Sequence, residues 1–127
     1  MKTPRQLLDE QMSEDDLLKN VIEMAALFKW RFGYHVFDSG SKIQCPRCDF
    51  LVPGRYARRL GEGFPDLILG RVKEDSHRGI AAELKSMTGK VTEAQEAWLR
   101  FFNLMHFETY LLRPPDWSSG RIEEILK

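Results

Sequence analysis

The chain has 127 residues, 43% of them hydrophobic and 30% charged, which is ordinary globular composition at the length of one domain and excludes a disordered or fibrous chain. No apolar run of about 18 residues occurs, so a transmembrane helix is excluded, and without the apolar stretch of a signal peptide a cytoplasmic setting is expected. Nineteen basic and nineteen acidic residues cancel, which argues against a protein that merely coats nucleic acid.

The charge is unevenly spread. Residues 1–28 carry Lys2, Arg5 and Lys19 against Asp9, Glu10, Glu14, Asp15, Asp16 and Glu23. Residues 42–60 carry Lys42, Arg47, Arg55, Arg58 and Arg59 against Asp49 alone. A neutral total is therefore compatible with a local phosphate-binding surface.

In chain order, residues 1–12 read as a loosely held arm or a short helix. Ser13 can cap a helix with an acidic first turn, and Leu17, Val21, Met24, Ala25 and Phe28 recur at helical spacing, widened by Leu18 and Ile22. Gly33 ends that pattern, so the expected helix runs from about 14 to 31. Tyr34 to Phe37 reads as a strand. Asp38 to Gly63 is turn-rich and long for a connection, as functional loops are. Leu67–Leu69 and Ile80–Leu84 read as strands, with polar Arg71–Arg78 as the hairpin turn between them. Thr92-Glu93-Ala94-Gln95 has the form of a capping box, and Ala94, Ala97, Trp98, Phe101 and Met105 follow at helical spacing. Phe107 to Leu112 reads as a strand stopped by Pro114-Pro115, and Ser118 or Ser119 starts a final helix through Ile122, Ile125 and Leu126. The order helix, strand, strand, strand, helix, strand, helix predicts an α/β fold around a mixed sheet, formed by residues 1–127 as one domain.

The sharpest chemical feature is Pro65-Asp66 followed by Glu83-Leu84-Lys85. Glu83 and Lys85 share one face of their strand, because side chains alternate. If the two strands pair as a hairpin, Asp66 and Glu83 can point at a common spot, where two carboxylates repel unless a cation lies between them. A hard divalent ion such as Mg²⁺ or Mn²⁺ takes oxygen ligands of this kind, and the backbone carbonyl of Leu84 is a further candidate ligand. The chemistry this suits is phosphodiester hydrolysis, with Lys85 orienting water or stabilising developing negative charge. Read more plainly, a Glu and a Lys two apart on an edge strand are common solvated residues, and Pro-Asp is a frequent turn pair. The apolar setting of Ala81, Ala82 and Leu84 favours the chemical reading, since charge there is costly. So do Gly61 and Gly63 before Asp66, and the helix start with Lys90 nearby.

Three blocks in order, Gly63-Phe64-Pro65-Asp66-Leu67, Ala82-Glu83-Leu84-Lys85-Ser86 and Gly89-Lys90-x-Thr92-x-x-Gln95-x-x-Trp98, make the chain resemble the VRR-NUC family of the PD-(D/E)xK nuclease superfamily, over roughly Glu23 to Arg113. Stand-alone members of about this length occur in phages and bacteria, which for a phage protein implies the host cytoplasm. The resemblance implies a restriction-endonuclease-like core of helix, three-stranded meander, helix and strand. It implies a divalent-metal-dependent DNA endonuclease, with branched DNA such as Holliday junctions among its substrates. By resemblance Asp66 and Glu83 are metal ligands and Lys85 is the catalytic lysine. Glu23 looks like the family's helix-borne carboxylate, which reaches the metal directly or through water; a solvated helix residue is the alternative. Gln95 matches the family glutamine facing the active site, or only closes the capping box onto Thr92. Trp98 reads as core rather than a base-stacking platform, and Arg113 matches the family's basic residue only in part, so no catalytic role is assigned to it.

Cys45-Pro46-Arg47-Cys48 supplies half of a zinc site, with only His35, His77 and His106 as further ligands. A plain thiol turn, zinc bound with histidines or across a dimer, and a redox pair all stay open. Lys42, Arg47, Arg55, Arg58 and Arg59, together with Lys90, form the candidate DNA-contacting set. Cutting both strands of a junction needs two sites, which implies a homodimer, its interface on the first helix or on Trp117 and the C-terminal helix. The competing classes are a non-catalytic nucleic-acid-binding module and a zinc-stabilised interaction protein.

Overall fold

The computed structural model describes residues 1–35, 43–44, 51–52 and 62–127, with residues 31–35, 43–44 and 51–52 described by their backbone. The chain condenses into two compact units. One comprises Met1–Lys29, Leu84–Val91 and Leu111–Lys127, and the other Trp30–Glu83 and Thr92–Tyr110.

In the first unit, helix α1 (Pro4–Gln11) is a built element rather than a loose arm. Thr3 Oγ1 accepts from the Gln6 amide at 3.2 Å and Gln6 Oε1 accepts from the Thr3 amide at 2.8 Å, closing a capping box ahead of Pro4. Asp9 is buried and accepts a hydrogen bond from Ser118 Oγ at 3.1 Å, and Arg5 Nε donates to the same oxygen at 3.0 Å. These bonds tie α1 to α4 (Pro114–Ser118). Helix α2 (Glu14–Leu27) opens on a second capping box, Ser13 with Asp16. Its buried stripe is Leu17, Leu18, Val21 and Ala25, and α2 contacts α5 (Arg121–Leu126), whose Ile122 and Leu126 are buried.

The structure corrects two expected boundaries here. Helix α2 stops at Leu27, four residues early, because Lys29 takes a left-handed φ of 62° and turns the chain out. Gly33 lies inside strand β1 (Arg31–His35) rather than ending the helix. Pro114 and Pro115 start helix α4 rather than only stopping a strand, since proline is compatible with the first helical turn. Gly120, with φ +84°, then separates α4 from α5.

The main sheet has the order β1-β4-β5-β6, where β4 is Leu67–Lys73, β5 is Ser76–Leu84 and β6 is Glu108–Leu112. A separate two-stranded ribbon joins β2 (Ile43–Gln44) to β3 (Leu51–Val52). β4 and β5 form an antiparallel hairpin in continuous register from Leu67↔Ala82 to Lys73↔Ser76. The contacts Arg78–Glu108 and Lys85 N–Leu112 O advance in the same chain sense, so β5 and β6 are parallel and the sheet is mixed. Helix α3 (Glu93–Leu104) lies in the connection between them. This is the mixed α/β architecture expected from the sequence.

The hairpin is longer than expected. Arg71–Lys73 and Ser76–Arg78 are paired strand, leaving Glu74 and Asp75 as the turn. Arg71 and Arg78 stand opposite each other, and their guanidinium carbons lie 4.4 and 5.0 Å from the Trp30 ring centroid. Cations over an indole face gain quadrupole attraction that offsets part of their desolvation. Arg78 also binds Glu108 through two bonds of 2.7 Å, and the Tyr110 hydroxyl donates to Glu108 at 2.8 Å. The polar residues that looked like a turn are therefore an aromatic and ionic clasp. Burial pushes Arg71 below the usual arginine range, helped by the Arg78 charge. The Arg78 hydrogen bonds hold the Glu108 carboxyl below the usual carboxylate range, against the opposing effect of burial.

A carboxyl with a depressed folded-state pKa stabilises the fold above its unfolded value, and that contribution is lost as pH falls through the folded one. Urea unfolding of Glu108→Gln at neutral pH should show a loss of about 1 kcal/mol, discounted for the partial exposure of both side chains. The gap to the native chain should close as the pH is lowered below the ordinary carboxylate range.

Candidate active site

Strand β5 carries the site because it becomes wholly buried at its C-terminal end, from Ile80 to Leu84. Ile80, Ala82 and Leu84 alternate with Ala81 and Glu83. Glu83 is only 1% exposed. A carboxylate placed so deeply in an apolar strand is stable only where polar groups replace the water it has lost.

Gln95 is one such group. Its Nε2 donates to Glu83 Oε1 at 2.8 Å, while its own Oε1 accepts from the Thr92 amide at 2.9 Å. The Gln95 amide in turn donates to Thr92 Oγ1 at 3.2 Å. Opposite ends of one amide thus meet Glu83 and close the capping box. The second oxygen of Glu83, Oε2, is sealed from solvent.

Asp66 directly precedes β4. The Leu67↔Ala82 pair, continued by one residue, sets Asp66 across from Glu83. Side-chain alternation then assigns Asp66 and Glu83 to one sheet face, and Leu67, Leu69, Ile80 and Ala82 to the other. The Glu83 face is the one that α3 covers, through Gln95. Asp66 is half-buried behind the buried Pro65.

Helix α3 is turned differently from the expectation. Phe101 and Met105 are exposed, whereas Gln95, Trp98 and Phe102 form the inward line. Trp98 Nε1 donates to the Glu62 carbonyl at 3.1 Å, and its ring meets Phe64 edge-on at 5.0 Å. Phe102 packs edge-on against Phe107 at 5.1 Å, and Phe107 lies against Gly79, where an added Cβ would stand 3.0 Å away. Trp98 was readable as an apolar position but not as a donor. Its spacing of three from Gln95 was the available signal, because residues three apart share a helix face.

In the other unit, Lys85 follows Glu83 by two positions and is 9% exposed. Its amide donates to Leu112 O at 2.9 Å, continuing the strand pairing. The loop after it is tightly held. Arg113 Nη1 donates to Ser86 O at 2.7 Å, and the Gly89 amide donates to Ser86 Oγ at 3.1 Å. A Cβ on Gly89 would stand 3.3 Å from Lys85 Cδ, so the loop folds against the lysine stem. Sequence reasoning gave Arg113 no catalytic role, and its position explains its presence as a brace for this loop. Lys90 is exposed on the same loop, and Glu23 is exposed on α2.

Lys42, Cys45, Arg47, Cys48, Arg55, Arg58 and Arg59 lie outside the described residues. Among the described residues, no group of three or more His, Cys, Asp or Glu side chains is gathered to hold a metal. No helix among them is long and apolar enough to cross a membrane.

The VRR-NUC domain model matches residues 43–113, more than half of the chain. That span contains Asp66, Glu83, Lys85 and Gln95. The chain therefore belongs to the VRR-NUC family, and this is a nuclease-type domain on a PD-(D/E)xK-like fold. Neither the curated proteins nor the solved structures include a match to it.

The double use of Gln95 separates two substitutions. Gln95→Ala removes both side-chain bonds, and equilibrium unfolding should show a loss of about 2 kcal/mol. Gln95→Glu keeps an acceptor for the Thr92 amide but sets a second carboxylate beside buried Glu83. In metal-free protein at neutral pH it should be at least as destabilising as the alanine variant.

Proposed function

We propose that this protein is a divalent-metal-dependent DNA endonuclease acting on branched DNA, with Asp66, Glu83 and the Leu84 carbonyl as metal ligands and Lys85 as the catalytic lysine. The observation that carries this reading is the juxtaposition of Asp66 with buried Glu83 at the end of the β4–β5 hairpin, in a chain of a nuclease family. The donor set fits the ion. Carboxylate and carbonyl oxygens suit Mg²⁺ or Mn²⁺ and do not suit a soft metal. A divalent ion there offsets the repulsion between the two carboxylates and, when bound, withdraws charge from the scissile phosphate.

The chain's own residues do the rest. Gln95 fixes the rotation of the Glu83 carboxylate by holding Oε1, so that the ligand is oriented before substrate arrives. Lys85 holds or orients the attacking water, or meets negative charge as it develops on the phosphate. The buried stem of Lys85 limits how far its ammonium can wander. Glu23 is, by the family resemblance, a further carboxylate for the metal, directly or through water. Lys90 and the basic residues between Lys42 and Arg59 contact flanking phosphates, which fixes register without reading sequence. A second copy of the chain supplies the second cut that junction resolution needs.

The test is cleavage of labelled linear, flap and four-way-junction DNA with Mg²⁺ or Mn²⁺. Asp66→Ala, Glu83→Ala and Lys85→Ala should each lower the rate by at least about a hundredfold. A chelator should abolish it, and the junction should be cut fastest. Metal-independent DNA binding that none of the three variants alters, without cutting, would instead identify a binding module.

A further inference from the structure

The segment Glu62–Pro65 is held by α3 at three successive residues. The Glu62 carbonyl accepts the Trp98 indole N–H at 3.1 Å. Gly63 has φ +84° and lies so close to the helix that a Cβ would stand 2.6 Å from both Ala94 C and Gln95 N. Phe64 meets Trp98 and Phe102 edge-on, at 5.0 and 5.8 Å. Pro65 is buried, with φ fixed by its ring, and the next residue is Asp66. Little backbone freedom remains between this grip and the Asp66 carboxylate.

The other carboxylate is held by the same helix. Gln95 binds Glu83 and Trp98 binds Glu62, and the two residues are three apart on one face. A rigid helix turn thus connects the two ligands of the proposed site. Packing alone would need only an aromatic ring at position 98. The indole N–H directed to a main-chain carbonyl is a positional constraint that packing does not require.

We propose that Trp98 is a positioning residue for the metal site: by anchoring the Glu62 carbonyl to α3, it sets where Asp66 stands relative to Glu83 and so tunes affinity for the divalent ion. This inference rests on the metal-dependent reading above.

The experiment is calorimetric titration of the full chain with Mn²⁺ in the absence of DNA, with Asp66→Ala defining which binding event belongs to the site. Trp98→Phe keeps an aromatic ring but removes the donor. Phe102→Leu disturbs the same aromatic cluster without touching the Glu62 carbonyl. Trp98→Phe should weaken Mn²⁺ binding by about tenfold while Phe102→Leu leaves it near the native value. Should Trp98→Phe fail to fold, 3-benzothienylalanine at position 98 keeps the shape of the side chain and replaces its N–H with sulfur; it should give the same tenfold loss. Native affinity in the donor-less chain, or equal weakening by Phe102→Leu, would overturn the role of Trp98 while leaving the nuclease reading intact. Absence in the native chain of any Mn²⁺ binding that Asp66→Ala removes would overturn the metal reading itself.

Discussion

The hydrogen bond from Gln95 Nε2 to Glu83 Oε1 helps reconcile a carboxylate with an apolar strand. An isolated charge among Ala81, Ala82 and Leu84 would cost several kcal/mol. Helix α3 contributes to holding Glu83 at the sheet end because it starts above it with a glutamine in its first turn. That glutamine also caps the helix, so one side chain contributes both to the start of α3 and to the environment of Glu83. Chemistry and local folding are coupled there.

The β4–β5 hairpin separates two polar clusters by end and by face. At its turn end Arg71, Arg78, Trp30, Glu108 and Tyr110 form the ionic and aromatic clasp. At the other end, on the opposite face, stand Asp66 and Glu83. Glu83 is five residues from Arg78, about 17 Å along an extended strand. The clasp therefore fixes strand register without its charges lying next to the carboxylates, and register is what places Asp66 across from Glu83. A slip of one residue would turn one of the two to the wrong face.

Much of this was legible in the sequence wherever a local rule decided the outcome. The capping signals at Ser13 and Thr92 located both long helices, because a side-chain oxygen three residues before its partner amide is a short-range feature. The alternation of Leu67 and Leu69, the buried run to Leu84 and the block containing Asp66, Glu83 and Lys85 pointed to the candidate site, and the family match covers these residues. What local pattern missed was decided by distant partners. Arg71 and Arg78 looked like turn residues because Trp30 and Glu108, which hold them in strands, are far along the chain. The early end of α2 depends on a left-handed Lys29, a conformation with no strong signal in a lysine. The inward face of α3 is chosen by Glu62 and Glu83, not by which of its residues are most apolar. The cysteine pair and the basic strip lie outside the described residues.

The account is tested most directly by the anomalous diffraction of crystals soaked in Mn²⁺. It predicts one strong peak within coordination distance of the Asp66 and Glu83 carboxylates, with Gln95 still donating to Glu83 Oε1. A map without manganese at those two side chains, or one with manganese there and Gln95 displaced from Glu83, would contradict it.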